Sequence, residues 1–191
     1  MGAMDLDLET RSGLPEALRI LLKDYPREAW EQDPNFHGLV SFWLDMHLHF
    51  RDALGQMRGD AEALLDRRLD SKAWAPRLAR TGGGFLQHLH GHHGIEDDHY
   101  FPLLVTRDAR LQRGFDILDT DHQALDTYLG RFAEEANAAL RALKDEGQLR
   151  TEAGRLHEGL LRLDRFIDRH LTDEEELIVP VILRDGEAGL R

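Results

Sequence analysis

The chain has 191 residues, with 41% hydrophobic, 31% charged and only 6 proline residues, a balance typical of one soluble, largely helical domain. A formal net charge of −12 would repel nucleic-acid phosphates and anionic lipid headgroups, so neither is an expected partner. No apolar stretch approaches the length of a membrane span, and the N-terminus lacks the features of a signal peptide; we therefore expect a cytoplasmic protein.

Residues 1–37 show no long helical period. The sequence predicts a short helix over residues 15–23, followed by a turn-rich stretch through Tyr25-Pro26 and Asp33-Pro34. We expect residues 1–37 to form an N-terminal extension that packs on the rest of the chain, residues 38–185.

Hydrophobic residues at alternating steps of three and four predict four amphipathic helices in the rest of the chain. They cover about residues 38–69, 73–106, 109–144 and 150–184. Helices of this length, joined by short polar connections, pack antiparallel. The predicted fold is therefore all-α, an up-down-up-down antiparallel four-helix bundle with an N-terminal extension.

Each apolar stripe contains one histidine, and two stripes also contain a glutamate one turn further on. These six residues are His47, His92, Glu96, His122, His170 and Glu174. A polar group in a helix-bundle core costs free energy unless it has a partner. A single histidine of this kind is usually a hydrogen-bonded core residue, but four such coincidences favour a common cause. A bound metal would satisfy imidazoles and carboxylates together.

The donor set narrows the choice of metal. The chain has no cysteine, which excludes thiolate ligands and disulfides. Six ligands are too many for a closed zinc site, and four imidazoles are too many for calcium or magnesium. The set suits two ions about 3.5 to 4 Å apart, bridged by carboxylates. Iron is our first choice, manganese the second and zinc the third. The ferritin-like pattern needs two Glu-x-x-His pairs, and only Glu96 to His99 provides one.

The order His, His-x-x-x-Glu, His, His-x-x-x-Glu, with Pro102 and Pro180 ending the two acidic runs, resembles the hemerythrin-like (HHE cation-binding) family. The similarity covers roughly residues 38–182. It implies that the same six residues are the metal ligands and that the ions form an oxo- or hydroxo-bridged di-iron centre.

One departure from that family concerns the third helix. Oxygen-carrying hemerythrins have two histidines one turn apart there, whereas the positions one turn from His122 are Leu118 and Asp126. One imidazole is thus missing, which favours peroxide or oxygen chemistry, sensing or iron handling over reversible oxygen storage. His88, one turn before His92, could fill the gap; the alternative is a solvated residue.

Other polar residues leave alternatives open. His49 competes with His47, but only His47 continues the stripe of Trp43 and Phe50. His90 and His93 are off-stripe and are expected at the surface or behind the ligands. The acidic runs that follow the two ligand glutamates are expected to face solvent, although Asp97 or Glu175 could orient a histidine ligand.

The leading functional hypothesis is a di-iron protein that binds, senses or turns over a small oxidant such as O₂, hydrogen peroxide or nitric oxide. If it is an enzyme, it is a di-iron oxidoreductase. The alternative is an iron- or redox-responsive sensor or interaction protein with a structural metal, favoured only by the N-terminal extension. A third possibility is a bundle without metal.

Overall fold

The protein is described by a computed structural model over residues 6–190. Five α-helices follow one another: α1 Leu39–Leu65, α2 Ser71–Ile95, α3 Phe101–Arg107, α4 Gln112–Arg141 and α5 Glu146–Asp185. No strand occurs among these described residues, so the all-α prediction is confirmed. Over the same residues, no helix has the length and apolar character needed to cross a lipid bilayer.

Local chemistry explains where several helices begin and end. The carboxylates of Asp70 and Asp145 accept hydrogen bonds from the amides of Ala73 and Gln148, at 2.9 and 3.0 Å, and so cap the starts of α2 and α5. Gly186 has a φ of +73°. Because glycine adopts this left-handed conformation without strain, it terminates α5.

The helix predicted over 73–106 is not a single α-helix. A π-helix, Glu96–Tyr100, joins α2 to α3, and the amide of Phe101 donates to the carbonyl of Glu96 five residues earlier. Pro102 follows at the start of α3 and has no N–H to donate. The regular hydrogen-bond ladder therefore cannot continue through this point, and the wider π turn accommodates the break.

The N-terminal segment, residues 6–38, differs from its prediction. The helix expected at residues 15–23 is wrong: that stretch forms turns, and the regular element nearby is a 3₁₀-helix, Arg27–Gln32. The segment is nevertheless anchored, because Leu14, Leu21 and Trp30 enter the core of the protein. Residues 1–5 of the predicted extension lie outside the described residues.

The chain divides into two compact units. The described part of unit 1 comprises residues 6–48, His92–Ala124 and 168–190. Its core contains the apolar side chains of the N-terminal segment, Trp43 of α1, Phe101 of α3, Phe115 of α4 and the end of α5. Unit 1 holds every residue of the candidate site described below.

Unit 2 comprises His49–Gly91 and Leu125–Ile167. Phe50, Phe85 and Phe132 pack edge to face at its centre, with ring centroids 6.2 Å apart in each pair. A Cβ at Gly82 would lie 3.2 Å from the ring of Phe132, so glycine permits this close packing. At its surface Arg58 donates to Asp164 at 2.6 Å.

Candidate metal centre

Two groups of histidine and glutamate side chains converge inside unit 1. The two-histidine group consists of His47, His92, Glu96 and Glu174, and the three-histidine group consists of His93, His122 and His170. Within each group, one nitrogen or oxygen atom of every residue lies within 4.8 Å of the others. Helices α1, α2, α4 and α5 and the π-helix all contribute.

The two carboxylates connect the groups. One oxygen of Glu96 lies 2.8 Å from Nε2 of His92, and the other lies 3.6 Å from Nε2 of His122. Glu174 repeats this arrangement, with one oxygen 3.4 Å from Nε2 of His47 and the other 3.5 Å from Nε2 of His170. Each carboxylate therefore faces both groups, and the seven side chains form one centre with two ends.

Several polar atoms of this centre take part in no hydrogen bond among the described residues. Both oxygens of Glu96, one oxygen of Glu174 and Nε2 of His93 are buried without a hydrogen bond within residues 6–190. Each such atom costs about 1 to 3 kcal/mol. Imidazole nitrogens also face one another, at 3.0 Å between His47 and His92. Nitrogen and oxygen lone pairs that converge in this way could hold metal.

The protonation of the imidazoles supports the same conclusion. Burial, together with neighbouring imidazoles, lowers the pKa of His92 to about 4 and that of His122 to about 3. The pKa of His93 is lowered well below its ordinary value for the same reasons. Since these histidines are neutral at physiological pH, their nitrogen lone pairs are available to a metal.

The centre also has a carboxylate whose ionisation is disfavoured by its surroundings. Burial and the neighbouring charge of Glu174 raise the pKa of Glu96 well above its ordinary value. A cation bound between the two glutamates would reverse this effect, because opposite charge favours the ionised form.

Three outer carboxylates fix the orientation of histidines. Nδ1 of His47 lies 2.9 Å from Glu175, and Nδ1 of His122 lies 2.8 Å from Asp97. Nδ1 of His170 lies 3.3 Å from Asp121. Because a carboxylate accepts a hydrogen bond, Nδ1 carries the proton in each case and the Nε2 lone pair points into the centre.

Glu175 was expected to face solvent, and this prediction is wrong. The residue is buried, because its two oxygens contact His47 and Arg27. The alternative interpretation of Asp97 and Glu175, as residues that orient a histidine, agrees with these contacts.

Aromatic side chains border the centre. The indole N–H of Trp43 donates to Glu174, and the ring of Trp43 lies 6.0 Å from that of His92 and 4.7 Å from that of Tyr100. Phe101 stacks near His122 at 5.6 Å. These rings restrict the access of water to the polar groups between them.

The structure brings together all six residues that the sequence nominated as ligands. The two alternative candidates, His49 and His88, are exposed and belong to neither group. His49 is exposed because it lies on the outer face of α1, about 200° around the axis from His47. His88 lies one turn before His92 on α2, but its side chain is exposed rather than part of the centre.

His93 was missed, and its expected place at the surface or behind the ligands is corrected. It is 5% exposed, stacks on His122 at 4.0 Å between ring centroids and supplies a nitrogen to the three-histidine group. Adjacent helical residues point about 100° apart, so His92 and His93 reach different ends of the centre. The sequence feature that could have identified His93 is the adjacent pair His92-His93, which lies four and three residues before Glu96.

Comparison with known families gives one match. A family model described as the hemerythrin HHE cation-binding domain matches residues 38–182. Comparisons with curated proteins and with solved structures found no significant match.

Proposed function

Because the chain belongs to the hemerythrin HHE cation-binding family, we propose that it is a non-haem di-iron protein that binds, senses or turns over a small oxidant. The candidate oxidants are O₂, hydrogen peroxide and nitric oxide. We also propose that α1, α2, α4 and α5 form an up-down-up-down four-helix bundle around an oxo- or hydroxo-bridged ion pair. The observation that carries the proposal is the pair of glutamates whose oxygens each face a different histidine group.

The donor set supports iron at both ends of the centre. The three-histidine group offers three nitrogens and the two-histidine group offers two, and both share the glutamate oxygens. A nitrogen-rich set with carboxylates and no sulfur suits iron, with manganese and zinc as the weaker choices. The end with fewer nitrogens, beside Trp43, is the one where we expect a small ligand to bind.

The protein side chains have separate roles in this proposal. His47, His92, His93, His122, His170, Glu96 and Glu174 would hold the metal. The outer carboxylates keep the imidazoles in the tautomer that presents Nε2. The indole N–H of Trp43 holds one oxygen of Glu174, and the surrounding apolar core keeps bulk water away. Bound iron would supply one-electron redox chemistry and open coordination positions.

His93 changes one argument about the type of reaction. It provides a fifth imidazole from α2 in place of the one missing from the third predicted helix. A shortage of nitrogen donors therefore no longer gives a reason to prefer peroxide chemistry over oxygen binding, and both stay within the proposal.

The test is metal content, measured by mass spectrometry on aerobically purified protein, together with visible spectra before and after azide or peroxide. We expect about two irons per chain and an oxo-to-iron charge-transfer band that changes on addition of either ligand. His122→Ala should lose both, whereas His90→Ala, an exposed histidine on α2, should keep both. Wild-type protein without iron and without this band would contradict the proposal.

A second candidate is a sensor in which the iron is structural. It is supported by the contacts of the N-terminal segment with the outer carboxylates Asp121 and Glu175, because such contacts could pass a change at the metal to the protein surface. Melting temperature and limited proteolysis of the segment, compared between apo and iron-loaded protein, distinguish the two. A sensor should show a change in proteolysis with metal state, and a catalyst should show turnover of peroxide.

A further inference from the structure

Three arginines of the N-terminal segment contact an acidic run on α5. Arg11, Arg19 and Arg27 are spaced eight residues apart. They pair with Asp173, Glu176 and Glu175, which flank the proposed ligand Glu174. Three positive charges thus lie against one turn of α5. Covering a hydrophobic core would not require such charges, so they need a separate explanation.

Arg11 is buried inside unit 1, where its side chain is 1% exposed. Its Nε donates to Asp173 at 2.9 Å, one terminal nitrogen donates to Asp121 at 2.8 Å, and the other donates to the second oxygen of Asp121. Burying a guanidinium is unfavourable unless all its donors are used with good geometry. Here the whole fork is used, which arginine can do and lysine cannot.

Arg11 connects in turn to the three-histidine group. Both oxygens of Asp121 accept from Arg11, and one of them, Oδ2, also lies 3.3 Å from Nδ1 of His170. The guanidinium of Arg11 therefore contacts the carboxylate of Asp121, which contacts the imidazole of His170, whose other nitrogen faces the proposed metal position. An arginine at the outer end withdraws charge from the carboxylate and restricts its movement.

Arg27 makes the equivalent connection to the two-histidine group. It donates to one oxygen of Glu175 at 2.8 Å, and the other oxygen lies 2.9 Å from Nδ1 of His47. The guanidinium of Arg27 also stacks over Trp30 at 4.6 Å, which fixes its position even though its side chain is 44% exposed. Each end of the centre thus has one arginine from the N-terminal segment.

We infer that the N-terminal segment is a working part of the metal centre, in which Arg11 and Arg27 are positioning residues that control metal retention and the reduction potential through Asp121 and Glu175. This inference rests on the proposed function, because it requires iron in both histidine groups. The segment lies outside the part of the chain that the family model matches, so these arginines extend the centre beyond the matched domain.

The direction of the effect follows from charge. A carboxylate that pulls on the Nδ1 proton makes the imidazole a stronger donor and so favours ferric over ferrous iron. An arginine on the same carboxylate weakens that pull. Removing the arginine charge should therefore lower the reduction potential, and it should also loosen the imidazole and speed the loss of iron.

The chain contains a matched control. Arg19 belongs to the same segment and pairs with the neighbouring acid Glu176 on α5, and both members of this pair are partly buried. Glu176 makes no contact with a histidine of the centre in the described part of the chain. Arg19→Gln thus removes the same type of ion pair between the same two elements without reaching a metal ligand.

The experiment compares iron-loaded wild type with Arg27→Gln, Arg27→Lys and Arg19→Gln. Iron per chain, the rate of iron loss to excess ferrous chelator and the midpoint potential are measured for each, with the melting temperature as a measure of fold stability. We expect Arg27→Gln to favour ferric over ferrous iron by roughly threefold to tenfold, which lowers the potential by about 28 to 59 mV for one electron. Iron loss should be faster by a similar factor.

Arg27→Lys keeps the charge and should restore most of the wild-type potential. Arg19→Gln should leave the potential and the rate of iron loss unchanged, whatever its effect on the melting temperature. Arg11→Lys should speed the loss of one of the two irons; if this variant does not fold, the half-exposed Arg27 still decides the question.

An unchanged potential in Arg27→Gln, or an equal change in Arg19→Gln, would overturn the inference and leave the proposed function intact. Wild-type protein that binds no iron would overturn both.

Discussion

His93 permits a test in which one substitution changes two properties in opposite directions. Its Nε2 atom is buried and has no hydrogen-bond partner among the described residues. Such an atom costs the apo protein about 1 to 3 kcal/mol. Leucine has a similar volume and no polar atom, so His93→Leu removes this cost.

The substitution also removes a favourable contact. His93 stacks on His122 with ring centroids 4.0 Å apart and planes inclined by 10°, and an aromatic pair of this kind contributes about 0.5 to 1.5 kcal/mol. The difference between the two effects leaves a gain, and we expect the free energy of unfolding of the apo protein to rise by about 1 kcal/mol. In the loaded protein, the three-histidine group loses one nitrogen donor, so we expect the loss of one iron per chain and a lower melting temperature.

The assay is urea unfolding of chelator-treated protein, combined with iron content and thermal melting of the loaded protein. His90→Leu is the control, because His90 is exposed on the same helix and should leave the iron content unchanged. The reasoning is refuted if His93→Leu retains two irons, or if its apo form is less stable than wild type by 1 kcal/mol or more.

Three further predictions concern metal, pH and Trp43. Removing iron by chelation should lower the free energy of unfolding by about 4 kcal/mol for each iron whose free concentration had been a thousandfold above its dissociation constant, measurable as the difference between apo and loaded urea curves. The apo protein should lose stability as pH falls from about 6.5 to 4, because the folded-state pKa values of His92 and His122, about 4 and about 3, lie below the ordinary value and the unfolded chain binds more protons. At pH 5 each contributes a loss of about 2 kcal/mol. His47 offsets part of it, since burial lowers its pKa but the neighbouring carboxylates raise it more, and Glu96 offsets a further part because burial and the charge of Glu174 raise its pKa. A stability of the apo protein that stays constant over this range would contradict these assignments. Trp43→Phe removes the N–H that holds Glu174 and should shift the azide band of the loaded protein while leaving two irons bound; an unchanged spectrum would show that this hydrogen bond does not affect the centre.

The helical period predicted much of this arrangement because it identifies residues that face a core. His47, His122 and Glu174 were nominated as polar residues on otherwise apolar stripes, and the structure places them together. Their role as ligands stays a prediction. The period could not nominate His93, since it selects about one residue per turn of each helix, whereas a centre with two ends uses adjacent residues that point in different directions.

Contacts between distant parts of the chain were beyond the reach of the sequence. Asp173 and Glu175 belong to an acidic run that has the composition of a solvated helix face, and both are buried because arginines from the N-terminal segment cover them. The segment has no helical period to mark its buried side, and turns rather than a helix direct its arginines inwards. The π-helix was also missed, because Pro102 signals a break without giving its form.

The contact between Arg11 and Asp173 spans 162 positions along the chain, and that between His47 and Glu175 spans 128. During synthesis the N-terminal part emerges first, so the centre is incomplete until α5 has been made. Joining such distant residues costs loop-closure entropy that grows slowly with separation and slows folding. Two bound metal ions would crosslink these distant residues and so hold the long loops closed. Iron would then be acquired as a late step of folding, and a chain truncated before α5 would lack the means to hold it.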